Sequence, residues 1–306
     1  MQELTSTYFW RKSYMDVVIL LVGLTLLHSF QTLFCTLYTS RYPGKKELAS
    51  PVFCILQSVV IALFTWVCSG FVREAAPLTI LFGVLNALML FGFNTSLMKA
   101  GAIGSYAFMN MMLLFGGILV PVVYSAIFVP GESLSIQQLL AIGMMLLSFV
   151  LMNVKEIRLK GTKPIYYVFC LVLFLSNGFY GTLLKMQSVY HGEQKDAMVV
   201  ISYALMGVIA LAQLVAKEGK HSFQAFRLSK SAILPLCLSL VSSALAINVL
   251  TWVMPLVNAA TLFTVDNGGV LILAALYSFL IFKEKPEGNK LAAMALAVAS
   301  IVIFSL

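Results

Sequence analysis

The chain has 306 residues, of which 60% are apolar and only 10% charged, with a formal charge of +8. Soluble domains carry about a quarter charged residues, so this composition excludes a water-soluble fold and makes lipid the solvent. The basic residues are scattered over connecting segments and form no cluster on a polar domain, which leaves no footprint for a nucleic-acid partner.

A membrane-spanning helix needs about 20 mostly apolar residues. Arg11 and Lys12 precede an apolar run from Val17 that has no small-residue cleavage pattern. It reads as a retained first span over 16–38 rather than a removed signal peptide. Further spans are predicted over 51–72, 77–98, 102–128 and 135–153. Lys155 to Pro164 is the most polar stretch and the natural seam. Beyond it the pattern resumes over 164–185, 197–216, 231–252, 256–282 and 289–306.

The two sides of the seam echo each other at an offset of about 152 residues. Gly116-Gly117 recurs as Gly268-Gly269, and Glu132 as Glu284. Gly101 to Asn153 can be laid on Val253 to Ser305 without a gap. Residues 1–155 and 162–306 therefore read as two five-helix repeats. An odd number of crossings makes the second repeat enter from the opposite side, so the repeats are inverted. The expected fold class is an all-α membrane protein of ten transmembrane helices in two inverted five-helix repeats. Fifteen of the 20 Lys and Arg residues fall in the odd-numbered connections. The positive-inside bias then places those connections in the cytoplasm and both termini outside.

The sharpest single residue is Asp266, about ten residues into the ninth span. A carboxylate at that depth costs roughly 3 kcal/mol on insertion scales and should face the bundle interior. Asn258, Thr261, Val265 and Asp266 share a helical face by their spacing, with Asn267 adjacent. Such an acid can bind a cationic group or carry a coupling proton, or it can cap a broken helix. His28, Gln31 and Thr32 stripe the first span, and His28 can share a proton with Asp266. Asn177 and Tyr180 stripe the sixth span, with Tyr180 at the position equivalent to His28. Tyr106 and Asn110 form an i, i+4 pair opening the fourth span, and Asn94 lies in the third. Lys99 and Lys185 close the third and sixth spans, where they either meet an anionic substrate or snorkel to the headgroups. Glu132 and Glu284 read as N-terminal charges of the helices that follow them. The five cysteines sit in or beside apolar runs without a CxxC pair, so free thiols are expected and neither metal nor cofactor is.

The chain resembles the drug/metabolite transporter superfamily, in its ten-span EamA-like branch. The resemblance is carried by Leu97-Met98-Lys99-Ala100, Tyr106-Ala107-Phe108-Met109-Asn110, Pro121 with Val122-Val123-Tyr124-Ser125, and Gly131-Glu132-Ser133-Leu134-Ser135-Ile136-Gln137-Gln138 leading to Gly143. The second copy supplies Leu276-Tyr277-Ser278-Phe279 and Lys283-Glu284-Lys285. The Phe-Tyr-Asn-Asn and Gly-Ala-Leu-Asn-Lys motifs of nucleotide-sugar carriers are not present. The resemblance implies transport of a small metabolite, with both termini in the cytoplasm, opposite to the charge count.

These readings converge on a secondary transporter of a small polar metabolite, working by alternating access and proton-coupled through Asp266. Its partners are then the metabolite, protons and membrane lipid, and its location the cell membrane. The alternatives are an exchanger of phosphorylated or nucleotide-linked sugars and, in another class, a channel or membrane scaffold. HExxH, GxSxG and GxxxxGK[ST] motifs are not found, so neither hydrolysis nor ATP-driven work is expected.

Overall fold

A computed structural model describes residues 2–72, 74–104, 106–153, 163–280 and 288–305. The seam and Glu284 lie outside the described residues. Every apolar run read from the sequence is a helix, and no strand occurs among the described residues. The ten long helices are α1 (Gln2–Arg41), α2 (Lys46–Cys68), α3 (Pro77–Ile103), α4 (Tyr106–Phe128), α5 (Ile136–Asn153), α6 (Pro164–His191), α7 (Lys195–Glu218), α8 (Lys230–Val253), α9 (Ala259–Leu280) and α10 (Gly288–Ser305). Short 3₁₀ turns precede and follow α7. Among the described residues six segments are long and apolar enough to cross a membrane, one of them the 63-residue stretch Pro164–Phe226 that holds both α6 and α7. The apolar stretches of α5, α9 and α10 are shorter, so ten crossings do not follow from length and composition alone. Large apolar side chains such as Ile19, Val208 and Leu234 stand exposed on outward faces, as lipid-facing positions do.

Local chemistry sets the helix ends. Pro77 and Pro164 occupy first-turn positions, where the missing N–H costs nothing. α5 is opened by a reciprocal capping box: the Gln138 amide N–H donates to Ser135 Oγ, and the Ser135 N–H donates to Gln138 Oε1, both at 3.1 Å. Asn258 caps α9 by accepting the Thr261 N–H at 2.7 Å. At one rim Lys45 donates to Glu218 at 2.7 Å, tying the α1–α2 connection to the end of α7. That hydrogen bond raises the lysine pKa above its ordinary value.

Packing interlocks the two halves. α1 lies on α8, α3 on α6 and α7, α2 on α7, α4 on α6, and α5 on α10. α9 fills in against α1, α4 and α10. α5 and α10 run antiparallel, held by Ser148 Oγ donating to the Ala293 carbonyl at 2.7 Å and Ser300 Oγ to the Ala141 carbonyl at 2.6 Å. Glycine permits two close helix approaches. A side chain at Gly116 would strike the Phe174 backbone, and one at Gly269 would strike Thr25. α5 and α10 stay outside the ring formed by the other eight helices, which surround a central cavity.

Candidate functional site

The central cavity has a volume of about 130 Å³, room for about four waters at the roughly 30 Å³ each takes up in the liquid. All eight ring helices contribute to its wall. α1 supplies His28, Gln31 and Thr32; α9 supplies Phe263, Asp266 and Asn267. These two helices approach because Gly269 accommodates Thr25. The approach brings His28 Nδ1 to 2.8 Å from Asp266 Oδ2. The Asp266 side chain is 9% exposed and that of His28 23%. Asp266 Oδ1 is buried and meets no hydrogen-bond partner among the described residues.

Opposite, α4 and α6 make the equivalent approach. A side chain at Gly117 would lie 2.5 Å from Asn177 Nδ2 and 3.0 Å from Asn267 Oδ1, so Gly117 gives both amides their place. Asn177 Nδ2 donates to the Leu113 carbonyl at 2.9 Å. Asn267 Nδ2 donates to the Phe263 carbonyl at 2.8 Å. Tyr180 lines the wall, its hydroxyl bonded to that of Tyr203. A polar chain crosses the remaining side. Asn94 Nδ2 donates to the Leu90 carbonyl at 3.0 Å and to Gln57 Oε1 at 3.4 Å. Gln57 Nε2 donates to Ser243 Oγ at 3.2 Å, and Ser243 donates to the Ser239 carbonyl at 2.8 Å.

Thr32 also lines a larger cavity of about 560 Å³, which runs outward past the C-terminal ends of α1, α3 and α7 to Lys46, Lys99 and Lys217. At the opposite end α6 and α8 finish and α9 begins. There Lys185 and Glu132 form a buried ion pair at 2.5 Å. The second Glu132 oxygen accepts the Ala259 N–H at 3.0 Å, at the start of α9.

Of the residues singled out in the sequence, His28, Gln31, Asn94, Asn177, Tyr180, Asp266 and Asn267 meet around one cavity. Lys99 lies outside it, in the vestibule, with its ammonium 5.4 Å from the Phe169 ring centre. Lys185 is neither snorkelling nor in the cavity: α6 continues past it to His191, and it is buried against Glu132. Asn258 is a helix cap beside Glu132. Glu132 serves α9 and Lys185, while α5, expected to be its helix, is capped by Ser135 and Gln138. The side chains of Tyr106 and Asn110 lie outside the described ones. Gln57, Tyr203 and Ser243 are wall residues that sequence reasoning passed over. Gln57 carried the signal that marked Asn94, an amide inside an apolar run; Ser243, in a run of small residues, carried none.

The fold is similar to that of a solved structure described only as a crystal structure of a protein. The match covers 94% of this chain and 98% of the other, at a TM-score of 0.69 and 17% identity, a likeness of fold alone. No family model and no curated protein matches the chain.

Proposed function

We propose that the chain is a secondary transporter that moves a small polar metabolite across the cell membrane by alternating access, in the manner of the EamA-like drug/metabolite transporters. The observation that carries this reading is the central cavity, shared by helices of both halves, with a buried carboxylate, Asp266, paired to His28. The cavity shares Thr32 with the vestibule at one end, and at the other Glu132 pairs with Lys185. Ligand sites between repeats at mid-membrane are the usual plan of such carriers.

Two inverted repeats, over 1–155 and 162–306, and ten spans belong to the same reading. Three pairs of contacts support them at the offset found in the sequence. Ser148 with Ala293 becomes Ser300 with Ala141. Gly117 against Asn177 becomes Gly269 against Thr25. The packing of α1 on α8 becomes that of α6 on α3. A contact between antiparallel helices that exchanges its two members describes a two-fold axis across the helices, hence in the membrane plane. Two conformers of one five-helix unit, exchanged about that axis, open the cavity alternately to either side.

In this mechanism Asp266 carries the coupling proton and His28 is its exchange partner. Protonating Asp266 removes the buried charge, which lowers the cost of re-orienting the site while the solute is absent. Counterflow tests the reading: purified protein in liposomes should show saturable, trans-stimulated exchange of a labelled metabolite. Non-saturable flux without trans-stimulation would indicate a channel instead. Exchange of phosphorylated sugars is the weaker reading, because Lys99 and Lys185, the cations it would use, do not line the cavity.

A further inference from the structure

We infer that the solute is a small organic ammonium and that its N–H groups bind Asp266 Oδ1. The inference rests on the transport reading for its meaning but on separate observations for its chemistry.

The first observation is the unused half of the carboxylate. Asp266 is 6% exposed, and Oδ2 is taken by His28 at 2.8 Å. Oδ1 lies in the same cavity wall with no donor among the described residues. A buried carboxylate oxygen without a donor is costly, and the surplus acceptor calls for a donor that comes and goes. The second observation is the direction of the neighbouring amides. Asn94 donates to the Leu90 carbonyl and to Gln57 Oε1, and Asn177 and Asn267 each donate one N–H to a wall carbonyl. The oxygens of Asn177 and Asn267 accept no hydrogen bond among the described residues, so they can accept from a ligand. The third is charge. Among the described residues lining the cavity there is no Lys or Arg, and the ionisable groups are His28, Asp266, Tyr180 and Tyr203. An anion would meet the Asp266 carboxylate with no lysine or arginine to offset it and with His28 already committed to Oδ2. An ammonium would meet one carboxylate, amide oxygens and the ring faces of Phe93 and Phe263. Those rings suit a short hydrocarbon portion and favour an organic cation over a bare metal ion, which would seek more oxygens.

Three probes of like size test the assignment: propylammonium, propionamide and propionate, titrated calorimetrically into the purified full-length protein in amine-free buffer. Sodium chloride is a fourth arm. Propylammonium is expected to bind at least tenfold more tightly than the neutral or anionic probe, and sodium is expected not to compete. Asp266→Asn should weaken propylammonium at least tenfold. The order of the probes on the unaltered protein keeps the assignment testable if that variant folds poorly. Preference for propionate or propionamide overturns it. So does sodium filling the same site, heat from no probe, or unchanged affinity in folded Asp266→Asn. Counterflow separates the two readings. Propionamide exchange that survives Asp266→Asn keeps the carrier and ends the ammonium site. Propylammonium binding that depends on Asp266, without exchange of any probe, keeps the site and ends the carrier.

Discussion

Asp266 stands where the first half has Leu114, and His28 where the second half has Tyr180. All four line the cavity, so on the proposed repeat the ionisable pair is laid asymmetrically. Replacing Asp266 by Asn keeps its shape and removes its charge. Proton-driven uptake into liposomes should then be lost, while yield and melting temperature hold; unchanged kinetics at every pH would take Asp266 out of the mechanism. The position was legible because an acid inside an apolar run stands out against an insertion cost of about 3 kcal/mol. Its histidine was legible for the same reason. Lys185 was misread for an equally physical cause. Hydropathy ended the sixth span at the lysine, whereas α6 runs on to His191 and carries the charge inside. Its partner Glu132 is far away in the chain, and no local spacing joins them.

At the level of elements, Glu132 fastens three of them: the α4–α5 connection, α6 through Lys185, and the first turn of α9. Removing one member of a buried pair strands the other. Glu132→Ala should therefore cost about 3–5 kcal/mol, whereas the apolar double replacement Glu132→Leu with Lys185→Met should recover most of it. Thermal unfolding in detergent measures both; a single variant as stable as the parent would show that the pair contributes nothing. Helix approach makes a second prediction. Gly116→Ala drives a methyl into the Phe174 backbone and should lose about 1–3 kcal/mol. Gly143→Ala, with open space around it in α5, should gain up to about 1 kcal/mol from helix propensity. The double glycines were legible as close-approach sites, but which helix came close was not, because that depends on a neighbour in the other half. The capping box before α5 was legible in Ser135 and Gln138 and was overlooked in favour of the more conspicuous Glu132.

At the scale of the whole molecule, helix number came from apolar run length, and the proposed repeat rests on a fixed offset. The interlocking of α1 with α8 and α3 with α6 could not be read, since each outer face is uniformly apolar and carries no address. Sidedness is open to a direct check. The lysine-rich end with Lys46, Lys99 and Lys217 is the one into which the vestibule opens. The charge bias makes it cytoplasmic, so a fluorescent protein fused at the C-terminus should stay dark and a phosphatase there should be active. A bright fusion would reverse the assignment and turn the vestibule outward. The Glu132 fastening also bears on how the molecule rests. At the offset of the repeat, Lys185 corresponds to Leu33, so the matching catch at the vestibule end has no lysine. One door bolts and its twin merely shuts, and an empty protein will spend most of its time waiting with the unbolted side ajar.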